Sequence, residues 1–195
     1  TYDLLSEELQ RAWCALAVFP DTFDVVAATA VWNVEEDLAQ DRLDELIHGS
    51  MVEWNETTAR AQLHDLVRLF ADQRLSNDER QASQHRHAMH YARVLRKANE
   101  SYAQGGDGVV RGLKLFDLEW TNIKAGQAWA ARYAAADDTA AALCSDYPDA
   151  GVNLLNLRQY PHERILWLEA ALVAARRLKQ REAEGWHLGN LGRAY

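Results

Sequence analysis

The pair His64-Asp65, within Gln62-Leu63-His64-Asp65-Leu66-Val67-Arg68-Leu69-Phe70, is the clearest place for chemistry in this 195-residue sequence. An imidazole donates or accepts through either ring nitrogen and suits an anionic oxygen. A neighbouring carboxylate caps or complements the positive start of a helix. By spacing alone, an ordinary surface or hydrogen-bonded histidine is the simpler reading of His64. His85, His87 and His90 raise a metal reading, because His87 and His90 are i,i+3 neighbours on one helix face. No cysteine or carboxylate stands at a companion spacing, since Asp78 and Glu79 are two turns away. Zinc needs three or four ligands, so a solvated helix face is expected there.

Other reactive groups are sparse. Cys14 and Cys144 lie far apart in apolar helical surroundings. They read as small buried thiols, with no disulfide framework and a reducing cytoplasm as the setting. No G-x-x-x-x-G-K-[ST] phosphate loop occurs, and Gly105-Gly106-Asp107-Gly108 lacks the lysine. No nucleophile, base and acid converge in the pattern, so the chain reads as non-enzymatic with no cofactor of its own. The sequons at Asn55 and Asn99 read as chance matches without a secretory signal. The net charge is −8 with no basic tail, which opposes a general affinity for nucleic acid. No stretch approaches the ~20 apolar residues of a membrane span. A chain opening at Thr1 without a signal peptide reads as a segment of a longer cytoplasmic protein.

The elements around the pair are mostly helical, as only three prolines and abundant Ala, Leu, Glu and Arg suggest. Ser6 caps a helix over 6–19 whose inward residues are Leu9, Ala12, Trp13, Leu16 and Ala17. Pro20 ends it, and Asp21 or Thr22 caps the next, with Val25, Ala28 and Trp32 inward. A third helix over about 35–48 turns Leu38, Leu43, Leu46 and Ile47 inward and stops at Gly49. Two short runs, 51–55 and 60–64, flank a polar turn and predict a hairpin. Three helices and a two-stranded wing make a winged helix. From Asp65 the pattern is helical again, with Leu66, Val67, Phe70, Ala71 and Leu75 along one side and a break at Ser76-Asn77-Asp78. A long helix follows with Ala82, Met89, Ala92, Leu95 and Tyr102 on one side, then the loop at 104–108, then a helix carrying Leu113, Phe116, Trp120 and Ile123. A break is expected near Pro148 to Gly151, and Pro161 opens a helix at its first position. Trp120, Trp129, Trp167 and Trp186 read as packing residues. In the last helix Leu188, Leu191, Gly192 and Tyr195 have the spacing of the first helix of a tetratricopeptide repeat, with Gly192 and Ala170, Ala171, Ala174 and Ala175 permitting close helix approach.

Placed in order, these pieces resemble a bacterial NB-ARC protein of the STAND signal-transduction ATPase class. Leu4-Leu5-Ser6 through Phe19-Pro20 and Thr22-Phe23-Asp24 look like its winged-helix opening. Gln62-Leu63-His64-Asp65-Leu66-Val67-Arg68 looks like its Met-His-Asp motif, with Leu63 in place of Met. Trp167 to Leu172, Ala174-Ala175-Arg176 and Leu188 to Tyr195 look like the repeats that often follow. The resemblance implies a winged-helix domain over 1–76, a helical linker over 77–158 and the start of a repeat array over 159–195. It implies that ADP or ATP is held by a nucleotide-binding domain outside this chain. His64 would reach the β-phosphate of ADP, and Asp65 would support the local backbone. The partners implied are that nucleotide domain and proteins recognised by the repeats, with oligomerisation of the longer protein on activation. The alternative is a helical-repeat interaction scaffold with no nucleotide role. A DNA-binding winged helix is disfavoured, because Glu35, Glu36, Asp37, Asp41, Asp44 and Glu45 on the third helix face a single Arg42.

Overall fold

The computed structural model describes residues 2–195. The chain is mainly α-helical with one small antiparallel sheet, as the periodicity predicts. It divides into two compact units, residues 1–90 and 91–195.

The first unit starts with α1 (Glu7–Ala15), α2 (Val25–Trp32) and α3 (Glu36–His48). Ser6 caps α1 as expected, its hydroxyl accepting from Leu9 N–H at 3.2 Å. The cap of α2 differs from the expectation: Asp24 accepts from Ala27 N–H at 2.8 Å, and neither Asp21 nor Thr22 takes the role. The reason is that Phe23 is drawn into extended pairing with Ala61, which delays the helix start. Along α3 the buried positions are Ala39, Leu43 and Leu46. Leu38, expected inside, is 44% exposed. A stripe at i, i+4 and i+7 is narrow enough that the next residue round the helix falls at its rim.

The hairpin of β1 (Glu53–Asn55) and β2 (Arg60–Gln62) closes this unit, with Trp54 opposite Ala61. Its turn is held by the Asn55 side chain, which accepts from Thr57 and Thr58 N–H at 3.0 and 3.1 Å. Two tryptophans sit in the core with their N–H groups satisfied. Trp13 Nε1 donates to the Met51 carbonyl at 2.9 Å, and Trp32 Nε1 to that of Ala12 at 2.7 Å. The next helices are α4 (Asp65–Arg74) and α5 (Asn77–Ala103). Between them Ser76 and Glu79 form a reciprocal capping box: Glu79 N–H donates to the Ser76 hydroxyl and Ser76 N–H to the Glu79 carboxylate. Ala82 is exposed, whereas Ser83, His87 and Ala88 are buried. His87 therefore departs from the expected solvated face; its ring lies edge-on to Phe19 with centroids 5.3 Å apart. Among the described residues no group of His, Cys, Asp and Glu is placed to hold a metal.

The second unit is helical throughout. It contains the later part of α5, then α6 (Asp107–Tyr133), α7 (Asp138–Ala150), α8 (Val152–Arg158), α9 (Pro161–Arg177) and α10 (Arg181–Ala194). The loop expected at 104–108 is shorter than its glycines suggest, because Gly108 is already helical. Gly105 and Gly106 take the left-handed backbone that turns the chain, with φ of +74° and +53°. Gly108 and Gly112 do different work. They face α5 so closely that a Cβ on Gly112 would stand 2.5 Å from the Ala98 carbonyl oxygen. The expected break falls at Gly151, with Pro148 still inside α7. Asn99 on α5 then caps α8, its side-chain oxygen accepting from Asn153 N–H at 2.9 Å.

Aromatic rings tie α6, α7 and α9 together. Trp120 lies 4.9 Å from Phe116 and 5.7 Å from Trp167, which meets Tyr147 edge-on. Ala171, Ala174 and Ala175 of α9 are buried, as their small size suggests. The inward face of α10 is rotated from the expected one: His187, Asn190 and Leu191 are buried, while Leu188 and Gly192 are exposed. A Cβ on Gly192 would meet nothing within 4 Å, so no helix approaches there among the described residues. Two contacts set the rotation, a Ser145–His187 hydrogen bond of 3.0 Å and the packing of Leu191 on Leu168 and Leu172.

Gly112→Ala is expected to lower stability by about 1–3 kcal/mol, because the obstacle is backbone and cannot rotate away. A chemical denaturation curve measures it, and Gly192→Ala is the control expected to be neutral or stabilising. Burial lowers the pKa of His187, so the folded state prefers the neutral ring. Its contribution is complete above the unfolded value near 6.5 and is lost as pH falls below it, by up to ~1.4 kcal/mol per pH unit. Denaturation at pH 7.5 and 5.0 should show this loss in the wild type and a reduced one in His187→Gln.

Candidate functional site

The expected site lies where β2 gives way to α4, and its position is set by the pairing of β2. Ala61 exchanges two backbone hydrogen bonds with Phe23, of 2.9 and 2.8 Å. On the other side of the strand, Glu53, Trp54 and Asn55 stand opposite Gln62, Ala61 and Arg60. Arg60 is buried and anchored by Thr22, donating to its hydroxyl at 2.8 Å and its carbonyl at 2.7 Å. Leu63 points into the core, so the alternation of the strand turns His64 outward.

His64 is exposed and forms the N-cap of α4. Its Nδ1 accepts from Leu66 N–H at 3.4 Å. With Nδ1 accepting, Nε2 is the ring nitrogen left to donate. The consequence is a donor at the positive end of a helix, held by the backbone of that helix. Asp65 does not cap. It is the first residue of α4 and accepts from the Arg68 guanidinium at 3.1 Å, in an exposed i,i+3 pair worth a few tenths of a kcal/mol. Of the two roles expected of Asp65, capping falls to His64, and Asp65 keeps the complement to the positive end of the helix.

The rest of α4 is amphipathic in an unexpected direction. Ala71 and Leu75 are buried, but Leu66 is 73% exposed and Leu69 57%. Phe70 meets Tyr2 and Trp13 in edge-type contacts, with ring centroids 5.9 and 6.0 Å away, and the Arg74 guanidinium lies 3.3 Å over its ring. That cluster pins α4 to α1 and leaves Leu66 and Leu69 beside His64 on the outside. With Ala17, Val18, Arg68, Asp72 and Gln84 they line an open groove of ≈ 490 Å³. Sequence reasoning placed Leu66 inside because apolar spacing does not say which of two neighbouring faces is covered. It also missed Phe23 and Arg60, whose single extended residue and long polar side chain carry no periodic signal.

The remaining candidates have other roles. Glu35, Glu36, Asp37, Asp41, Asp44 and Glu45 are all exposed around α3, where Arg42 is already paired with Glu8. That surface repels phosphate. Both cysteines are buried and free, and burial raises their pKa values, that of Cys144 to about 11. They are inert thiols at neutral pH. No helix is long and apolar enough to cross a membrane among the described residues.

His64→Ala should cost roughly 0.5–1 kcal/mol through loss of the cap, and His64→Asn, which restores a good capping acceptor, should recover most of it. Equal stabilities for all three proteins in urea would remove the capping role.

No family model and no curated protein matches the chain. Among solved structures it is similar to a Signal Transduction ATPase with Numerous Domains (STAND) protein with a tetratricopeptide repeat sensor from Pyrococcus horikoshii, at 15% identity and a TM-score of 0.39. The match covers 99% of this chain and 32% of that one, so the chain spans about a third of that protein's length.

Proposed function

We propose that this chain is a non-catalytic regulatory region of a nucleotide-switched signalling ATPase. In this reading residues 1–76 are a winged-helix domain, 77–158 a helical linker and 159–195 the start of tetratricopeptide-like repeats. The region couples the ADP or ATP state of an NB-ARC domain outside the chain to recognition of protein partners by the repeats. The observation that carries the reading is the anchored His64 ring, exposed at the start of α4 with Nδ1 held by the cap and Nε2 left to meet an anionic oxygen. The motif order around it, from Leu4-Leu5-Ser6 to Gln62-Leu63-His64-Asp65, supports the family. The exposed Leu66 and Leu69 beside it give an adjoining domain apolar surface to cover. Asp65, held by Arg68, supports the first turn of α4.

A scaffold without nucleotide control is the second reading, favoured by the exposed Leu166, Val173 and Leu188 on α9 and α10, which suit stacking of further helices. One experiment separates the two. In the longer protein carrying its nucleotide domain, His64→Ala and His64→Asn should both speed ADP release, roughly 10- to 100-fold for one charge-assisted hydrogen bond. His64→Asn is the informative variant, because it keeps the cap and lacks the reach of the imidazole. Unchanged ADP release in His64→Asn would remove the sensor and leave the scaffold.

A further inference from the structure

In the first unit a polar cleft of ≈ 440 Å³ opens between α1, the end of α4 and the start of α5, and His64 has no part in its lining. Glu7, Gln10, Arg11 and Cys14 form the α1 wall, and their i, i+3, i+4 and i+7 spacing sets them along one face of that helix. Tyr2, from a single 3₁₀ turn over Tyr2–Leu4, extends this wall. Gln10 holds the turn in place, its Nε2 donating to the Tyr2 and Leu5 carbonyls at 3.2 and 3.1 Å. Arg74, Leu75 and Glu79 supply the rest of the lining. The volume falls in the range of small-molecule sites.

Two guanidinium groups and two carboxylates share this cleft, and among the described residues no ion pair joins any of them. Arg74 is held elsewhere: it lies 3.3 Å over the Phe70 ring and 4.9 Å over that of Tyr2, and its Nη1 donates to the Phe70 carbonyl at 3.4 Å. Its cation suits the last turn of α4, but none of these contacts gives the guanidinium a carboxylate. Glu79 accepts the Ser76 N–H and hydroxyl on Oε2, at 3.1 and 2.6 Å, which leaves Oε1 for another donor. Those bonds hold its carboxyl below the usual carboxylate range, so it is charged at neutral pH. Glu7 and Arg11 are i,i+4 neighbours in the favourable order, yet they do not pair. The lining is therefore balanced in sign but not neutralised within itself. A plain anion would meet both carboxylates, and a plain cation both guanidinium groups. A molecule that carries both charges matches all four.

We propose that this cleft binds a small zwitterion, an α-amino acid or a dipeptide with an uncharged side chain, its carboxylate on Arg74 and Arg11 and its ammonium on Glu79 and Glu7. The stacked Arg74 fork is already ordered, so less rotamer freedom is lost when a carboxylate accepts from it. The Tyr2 ring and Leu75 give the ligand side chain an apolar patch. The assignment is independent of the nucleotide reading of His64.

Calorimetric titration of the 195-residue chain tests it with leucine, alanyl-leucine, N-acetylleucine and leucinamide. The acetyl group removes the ammonium, and the amide removes the carboxylate. At least one of the two zwitterions should bind roughly 10- to 100-fold more tightly than either single-charge derivative, and the tighter one identifies the free amino acid or the dipeptide as the ligand. Arg11→Gln and Arg74→Gln should each narrow the preference for the zwitterion over leucinamide. Glu7→Gln should narrow the preference over N-acetylleucine. All three positions are exposed, and circular dichroism checks that each variant is folded. Arg74→Lys, which keeps the charge and loses the stacked fork, should fall between wild type and Arg74→Gln. The proposal is overturned if neither zwitterion binds, if a single-charge derivative binds as tightly, or if Arg74→Gln and Glu7→Gln, while folded, keep the wild-type preferences.

Discussion

The reciprocal pair of hydrogen bonds between Phe23 and Ala61 is the constraint on which the His64 site depends. Ala61 gives both its backbone groups to Phe23, while its neighbours Arg60 and Gln62 stand opposite Asn55 and Glu53 across the hairpin. A two-stranded hairpin is marginal by itself, and the single extended bridge at the buried Phe23 ties it to the helices of the first unit. Register follows from this pairing. A slip of one residue would expose Ala61 and Leu63 and turn Gln62 and His64 toward the core. The Arg60 clamp on Thr22 opposes that slip at the same place, because its guanidinium finds two acceptors only in this register.

The long-period features were legible in the sequence, and the single-residue ones were not. The hairpin, the capping role of Ser6, the buried cysteines and the small-residue face of α9 follow from patterns that repeat or from residue types with one preferred setting. The misplacements share a cause. Leu38, Leu66, Ala82 and Leu188 each sit one position from a buried stripe, and periodicity alone does not distinguish adjacent faces of a helix. Packing decided among them through partners distant in sequence: Ala61 for Phe23, Phe19 for His87, Ser145 for His187. At the candidate site the residue was legible but its local role was not. Histidine is an uncommon cap, and its use here came from an outward-turning strand residue meeting the open N–H groups of α4.

Energetics limit what His64 contributes under the proposed reading. One charge-assisted hydrogen bond is worth ~1.5–3 kcal/mol. Moving a two-state equilibrium from 1:99 to 99:1 takes ~5.5 kcal/mol. The remaining bias must come from burial of apolar surface, and at ~25 cal/mol per Å² it corresponds to roughly 100–160 Å² beyond what the other state covers. Leu66 and Leu69 are apolar side chains of the right size for that increment, and they stand within one or two turns of the imidazole. The histidine then supplies selectivity for the anion, and the leucines supply the magnitude. A partner that covers the leucines without presenting an anion would close the surface but would not respond to nucleotide.

His187 and His64 show why burial separates a responsive imidazole from a structural one. His187 is sealed between α7 and α10, and burial holds it neutral, so protonation acts on the fold before it can act on a ligand. His64 carries an accepting Nδ1, and its other nitrogen lies on an exposed residue, where a bond to a ligand is made without unfolding anything. The capping bond turns this exposure into direction. A free surface imidazole samples several rotamers and both tautomers, and ordering it on binding costs about as much as one neutral hydrogen bond returns. Holding Nδ1 on Leu66 N–H spends that ordering within the folded chain, so the donor on Nε2 meets an anion already oriented.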